Sequence, residues 1–203
     1  MTTEERLKKL ERELAALRGI LAESLTTRRV CLVDKRGKTR ALLSAGVFGG
    51  QPALTLLDEA GQIRATLNLQ GGRPSVILSD EKGRPRTALR VDADGPTLGL
   101  LDDKAQIRAA LRTDAGGPVL AMSDQKGQIR AALRVSKAVP SVVLVDENGK
   151  VRATLRVNAD GPVLAMFDER GKRRAMLIAD ADGPRLSLFD VEDERGRKPK
   201  KGR

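Results

Sequence analysis

The chain contains no histidine, no tryptophan and no tyrosine, and it has a single cysteine among 203 residues. Without histidine it cannot form a Ser-His-Asp triad, a Cys-His dyad or a His-containing metal site. Cys31 alone cannot form an intrachain disulfide. No apolar run reaches the length of about 18 residues that a membrane span needs, and the opening MTTEERLKKL lacks the apolar region of a signal peptide. We therefore expect no membrane span, no classical signal peptide, and a cytoplasmic or virion-associated location.

Aromatic side chains are nearly absent: they make up 1% of the residues, and all of them are phenylalanine. The hydrophobic fraction is nevertheless 40%, too high for a wholly disordered chain. Leu, Val, Ala and Met must therefore supply the interior, which favours a thin, repetitive core over a single large globular one.

The chain repeats one phrase with a fixed step. Aspartates recur after one step of 24 and then at every 22 residues, and prolines recur at every 22, always six before an aspartate. Such self-similarity predicts a stack of equal structural units. The aspartates are Asp34, Asp58, Asp80, Asp102, Asp124, Asp146, Asp168 and Asp190, and the prolines are Pro52, Pro74, Pro96, Pro118, Pro140, Pro162 and Pro184.

Each unit contains two segments with a period of two residues, which predicts two β-strands. The first, strand a, has apolar residues two and four positions after the proline, and its other face is also largely apolar or small. The second, strand b, has Ala or Thr seven and Leu nine positions after the aspartate, as in Ala153 and Leu155, with arginine on the other face. A strand that is apolar on both faces is usually covered on both, so we expect another copy of the chain to cover it.

The turns within the units have a local cause. In D-x-x-G the aspartate carboxylate can accept backbone N–H hydrogen bonds, and glycine adopts a positive φ at the least cost. Ala105 takes the glycine position in one unit. Proline fixes φ and has no N–H group, so we place it at the start of strand a.

These patterns predict a mainly β fold: eight 22-residue two-stranded repeats form an elongated β shaft, preceded by a short parallel coiled-coil helix. The shaft is either an oligomeric β-prism or β-helix, or a monomeric β-solenoid. The expected domains are a helix at 1–29, the shaft at 30–190 and a basic disordered tail at 191–203. The expected core leucines are those of strand b: Leu67, Leu89, Leu111, Leu133, Leu155 and Leu177.

The N-terminal segment predicts oligomerisation. Five leucines have the alternating three- and four-residue spacing of coiled-coil a and d positions, and Thr2 with Glu5 forms a candidate capping box. A helix this short is marginal alone, so we expect it to set the copy number and register of the shaft. The leucines are Leu7, Leu10, Leu14, Leu17 and Leu21.

A parallel coiled coil followed by a β-repeat shaft resembles the trimeric fibre shafts of viruses, phages and some bacterial adhesins. The phrase DxxGxxRAxL is also similar to repeats of uncharacterised bacterial proteins. The first resemblance implies a trimer with a mechanical role, and the second implies no activity.

Possible ligand sites each have a structural alternative. Asp92 and Asp94, like Asp180 and Asp182, match part of a calcium loop, but the bidentate glutamate is missing at the required distance, so a turn is favoured. Cys31 lies among strand a residues, which favours a buried structural thiol over a nucleophile. Because the aspartates recur in every unit, none indicates a unique active site. We expect no catalytic residue, no metal, no cofactor and no small-molecule substrate.

The formal net charge is +11, of which six positive charges follow Glu194, leaving +5 for the rest. This polybasic end is a candidate for contact with nucleic acid or another polyanion. Strand b also presents two arginine rows, in the pairs Arg86 with Arg90, Arg108 with Arg112, Arg130 with Arg134, and Arg152 with Arg156. The candidate residues of the tail are Arg195, Arg197, Lys198, Lys200, Lys201 and Arg203.

The sequence therefore predicts a non-enzymatic structural or fibre-forming protein that self-assembles as a homo-oligomer, with a trimer as the favoured copy number. The alternative is a polyanion-binding module that uses the basic tail and the arginine rows.

Overall fold

The structure is a computed structural model that describes residues 2–23, 26–47 and 50–189, with the side chains of 17–23 and of Val47 left out. Helix α1 spans Thr3–Glu23, close to the predicted helix. The predicted capping box is confirmed: the Thr2 backbone N–H donates to Glu5 Oε2 at 2.7 Å, and the Glu5 N–H donates to Thr2 Oγ1 at 3.3 Å. No helix among the described residues is long and apolar enough to cross a bilayer.

Fifteen strands follow the helix, two for each repeat. The eighth repeat contributes only its first strand to the described residues. In chain order the strands are β1 (Arg29–Val33), β2 (Thr39–Val47), β3 (Gln51–Leu57), β4 (Ile63–Gln70), β5 (Arg73–Ser79), β6 (Pro85–Asp92), β7 (Gly95–Leu101), β8 (Ile107–Asp114), β9 (Gly117–Ser123), β10 (Ile129–Ser136), β11 (Val139–Val145), β12 (Val151–Asn158), β13 (Gly161–Phe167), β14 (Arg173–Asp180) and β15 (Gly183–Leu188).

The strands form one open antiparallel sheet in which each strand pairs with its neighbours along the chain, from β1 at one edge to β15 at the other. This confirms the mainly β fold built from two-stranded repeats. Within one chain the units lie side by side as a meander, whereas the coils of a solenoid would stack their strands in parallel. Helix α1 makes no packing contact with any strand among the described residues.

The turn from strand a to strand b matches the prediction from D-x-x-G. Asp102, for example, accepts hydrogen bonds through Oδ1 from the backbone N–H groups of Lys104 at 2.9 Å and Gln106 at 3.0 Å. Ala105 adopts a φ of +58°, the left-handed conformation that glycine adopts at this position in the other units. Side-chain hydrogen bonds therefore specify the turn even where glycine is missing.

Two local expectations need correction. Proline is the second residue of strand a and not the first, because the preceding residue already pairs, as Gly95 does with Asp92. Cys31 is exposed and not buried. It lies on β1, an edge strand that has a partner on one side only, so fewer neighbours cover its thiol than cover the equivalent position of an inner strand.

Candidate functional site

One face of the sheet, which we call the leucine face, carries a continuous apolar row. The register places one residue from every strand side by side, and each is leucine or valine. In order the row is Val30, Leu43, Leu54, Leu67, Val76, Leu89, Leu98, Leu111, Leu120, Leu133, Val142, Leu155, Leu164, Leu177 and Leu186.

A second row on the leucine face alternates large and small side chains. Leu100, Met122 and Leu144 of the first strands stand beside Ala109 and Ala131 of the second strands, and the same alternation continues through the repeats. Because strand a contributes the large side chains of this row and strand b contributes alanine or threonine, the row has ridges spaced by one repeat. Such a surface can interlock with a second surface of the same kind.

The leucine face is open in the single chain. Leu111 is 51% exposed and Leu133 is 49% exposed, and the other predicted core leucines have similar values: Leu67 49%, Leu89 46%, Leu155 46% and Leu177 45%. These leucines share one face, as their spacing requires, but no second layer of described residues covers them. A single sheet has no interior, so the only buried apolar side chains among the described residues are small ones such as Ala53 and Ala165.

The opposite face is better covered by its own side chains. Thr55 and Thr66 are 3% and 7% exposed, and Val163 is 8% exposed. Ile107, from the start of β8, lies over Gly99 of β7, where an added Cβ would meet its side chain at 3.5 Å. Small residues in the centre of this face are covered, whereas the larger ones at the strand ends, Ile63, Ile107, Ile129 and Val151, are 36% to 45% exposed.

An arginine six residues after the turn aspartate links successive repeats, and we call each such pair an Asp–Arg clasp. Arg130 donates through Nε to Asp124 Oδ2 at 2.7 Å, and its guanidinium also donates to the backbone carbonyl of Asp146 in the next repeat. Arg108 does the same with Asp102 at 2.7 Å. These clasps, like those of Arg64 and Arg152, therefore join a turn to the neighbouring repeat at the ends of the strands.

The clasp recurs with small variations. Arg64, Arg152 and Arg174 pair with the aspartates of their own units at 3.4, 3.2 and 2.7 Å. In the unit of Asp80, the arginine four positions on pairs with the aspartate of its own turn, since Arg84 Nε donates to Asp80 Oδ2 at 2.8 Å. Most of the arginines that lie six residues after a turn aspartate are thus engaged in structural ion pairs.

Backbone and arginine hydrogen bonds together lower the pKa of six of the turn aspartates. For Asp58, Asp102 and Asp146 the largest cause is the hydrogen bond from the backbone N–H four residues on, with the arginine partner adding to it. For Asp80, Asp124 and Asp168 desolvation is the largest single influence and raises the pKa, but the backbone and arginine hydrogen bonds together outweigh it. The ionised carboxylate is therefore the form that these turns hold.

A second set of arginines, the arginine row, lies ten residues after the turn aspartate on the face opposite the leucines. The row contains Arg90, Arg112, Arg134 and Arg156, separated in register by Thr97, Val119 and Ser141 of the intervening strands. Arg90 pairs with Asp92 at 3.2 Å, and Arg112 pairs with Asp114 at 3.6 Å.

Helix α1 exposes its predicted seam. Leu7, Leu10 and Leu14 are 58%, 62% and 53% exposed, and the side chains of Leu17 and Leu21 lie outside the described residues. The ion pairs on this helix are local, between Glu4 and Lys8 at 3.3 Å and between Lys9 and Glu13 at 3.9 Å. The helix contacts no other element in the part of the chain that the structure describes, and the coiled coil between copies stays a prediction.

The candidate polyanion residues of the tail, Arg195 to Arg203, also lie outside the described residues. The constant six-residue spacing of aspartate and arginine in the sequence is the signal for these pairs, whereas the arginine contact with a carbonyl of the next repeat follows only from the register. No family model matches the chain, and no curated protein matches it significantly.

Proposed function

We propose that the chain is a non-enzymatic structural protein that assembles with copies of itself through the leucine face. The observation that carries this proposal is the uninterrupted row of leucine and valine across all fifteen strands, of which eleven members are 38% to 58% exposed in the single chain. Monomeric soluble proteins expose contiguous apolar patches of only about 300 to 600 Å².

The size of the leucine face supports assembly. With about 4.8 Å between strands and 3.3 Å per residue, fifteen strands that pair over five to six residues cover about 70 by 20 Å, or about 1,400 Å². A standard interface buries about 800 Å² on each partner. Flat sheets of many strands are also unusual unless another layer stacks on them, and this sheet is open and uncurled.

A three-sided prism fits these dimensions. Three sheets, each about 20 Å wide along its strands, can meet at their strand ends with the leucine faces inward. The distance from each sheet to the common axis is then about 6 Å, a little more than half the 10 Å spacing of packed sheets. Four sheets would leave about 10 Å and a hollow centre. Leucine side chains from three faces therefore fill the prism, which favours the trimer that the fibre resemblance implies.

The helix and the clasps have complementary roles in this assembly. A repeating leucine face can slide by one repeat and still bury most of its surface, so register needs another determinant. A parallel coiled coil formed by α1 supplies it at one end. The Asp–Arg clasps hold neighbouring units of each sheet together at the turns, where side chains of the leucine face do not reach.

Matched substitutions on two faces of the same strands test the proposal. Leu111→Glu with Leu133→Glu places carboxylates in the leucine face, whereas Arg112→Glu with Arg134→Glu places them one residue further on, on the opposite face. Light scattering coupled to size exclusion should show dissociation or aggregation for the leucine variant and the unmodified mass for the arginine variant. An unchanged mass for the leucine variant contradicts assembly through this face.

Electron microscopy tests the mechanical role separately. A shaft of fifteen stacked strands has a length of about 70 Å, and the coiled coil adds about 30 Å if it continues along the same axis. Negatively stained particles should be straight rods of that order, with a width well below their length. Compact particles of equal dimensions would contradict a shaft.

The polyanion-binding module remains the second candidate. The clasps count against the arginines nearest the turns, since carboxylates and carbonyls already occupy their guanidinium groups. The basic tail is the part of the chain on which this candidate rests.

A further inference from the structure

Two arginines of the arginine row differ from the others. Arg134 and Arg156 are exposed, and among the described residues neither makes an ion pair or a side-chain hydrogen bond. The difference lies two residues further along each strand. Arg90 and Arg112 are followed there by Asp92 and Asp114, which pair with them, whereas Arg134 and Arg156 are followed by Ser136 and Asn158.

The turn after β10 also has fewer acidic residues than the equivalent turns of other units. Its residues, Ser136 to Val139, contain no acid and one lysine, whereas the equivalent turn after β6 contains Asp92 and Asp94. Lys137 and Ala138 adopt φ values of +47° and +65°, a conformation that costs energy for residues other than glycine. The turn therefore keeps a basic residue in a position where glycine would be more stable.

The register brings the two arginines together around a hydroxyl. Ser141 of β11 pairs with Arg134 on one side and with Arg156 on the other, all on the face opposite the leucines. The two arginine Cα atoms are two strands apart, or about 9.6 Å. In the structure Arg134 Nη2 lies beside Gly116 of the turn after β8, so Arg134 turns towards β11 when both guanidinium groups reach one group placed above Ser141. The Ser141 hydroxyl makes no hydrogen bond among the described residues.

We propose that Arg134, Ser141 and Arg156 form a binding site for a phosphate-type oxyanion. Two guanidinium groups can each donate in a forked geometry to such an anion, and the serine hydroxyl supplies a donor between them. Lys137 adds positive charge at the adjacent turn. The site lies away from the leucine face, so it stays accessible in the proposed assembly and does not depend on that proposal.

Two matched double variants of the full chain test the site. Arg134→Gln with Arg156→Gln removes the two arginines that have no ion pair, and Arg90→Gln with Arg112→Gln removes two that are paired with aspartate. The two variants have the same net charge and both keep the basic tail, so nonspecific attraction is equal. The probes are inorganic tripolyphosphate and a ten-nucleotide oligothymidylate, titrated calorimetrically at low salt.

The Arg134 and Arg156 variant should bind tripolyphosphate at least about tenfold more weakly than the unmodified chain, and the Arg90 and Arg112 variant less than about threefold more weakly. Equal losses in the two variants, or no binding by the unmodified chain, overturn the proposal. If the affinity for oligothymidylate differs between the variants in the same way, the site also binds the phosphates of a nucleic-acid backbone. If it does not, the site takes small phosphate compounds.

A second variant guards against a folding artefact. Ser136→Asp with Asn158→Asp leaves both arginines in place and supplies the carboxylates that Arg90 and Arg112 already have. It should lower tripolyphosphate affinity to a similar extent as removal of the arginines, with no loss of thermal stability. Unchanged affinity in this variant would mean that the arginines do not hold the anion.

Discussion

Leu133→Ala tests how far the leucine face is covered. Leu133 is 49% exposed in the single chain. Full burial of a leucine side chain stabilises a protein by about 1.5 to 3 kcal/mol. About 1 kcal/mol of this stabilisation is therefore missing in the single chain and is gained only if another copy covers the side chain. If copies cover it, truncation removes the whole contribution and leaves a cavity, at a cost of about 2 to 5 kcal/mol per chain.

The assay is urea denaturation followed by circular dichroism at two protein concentrations, because the stability of an oligomer depends on concentration. Thr154→Ala is the control: Thr154 lies on the opposite face of β12 and pairs in register with Val143 and Ala165, so its loss should cost about 0.5 kcal/mol or less. If Leu133→Ala costs no more than Thr154→Ala at both concentrations, the leucine face is open to solvent and the reasoning fails.

Three further predictions concern the helix, the clasps and the tail. Leu10→Asp with Leu17→Asp places charges in the predicted seam and should lower the concentration-dependent melting temperature; an unchanged melting temperature would mean that the helix does not contribute to assembly. The backbone N–H groups of the turn, and then the clasp arginine, lower the pKa of aspartates such as Asp102 and Asp146. The stabilisation from these turns is therefore present above the unfolded pKa of about 3.9 and lost as pH falls through the lower folded value; melting temperatures that stay level under acid would contradict this, and Asp102→Asn should reduce the acid sensitivity. A chain ending at Glu194 should lose most of any salt-sensitive affinity for heparin, and retained affinity would move the interaction to the sheet.

The sequence predicts the local structure well because its signals are local. The capping box of Thr2 and Glu5, the carboxylate-capped turns and the alternation within each strand depend on residues a few positions apart, and all are present in the structure. The periodic leucines also lie on one face, as predicted.

What covers each face of the sheet could not be predicted from the sequence in the same way. Alternation at Leu111 and Leu133 shows that one face is apolar but not what covers it, and the structure leaves that face open within the chain. The clasps join residues in different repeats, as Arg130 does with Asp146, and such partners follow only from the register. The exposure of Cys31 depends on the edge position of β1, which composition does not indicate.

The most direct test of the central claim is the mass of the unmodified chain in solution, measured by light scattering coupled to size exclusion over a range of concentrations. Assembly through the leucine face predicts a multiple of the 21.9 kDa chain, and the prism predicts three copies. Two copies would keep the leucine face as the interface but replace the prism with a two-layer stack. A mass of one chain at every concentration would contradict the account.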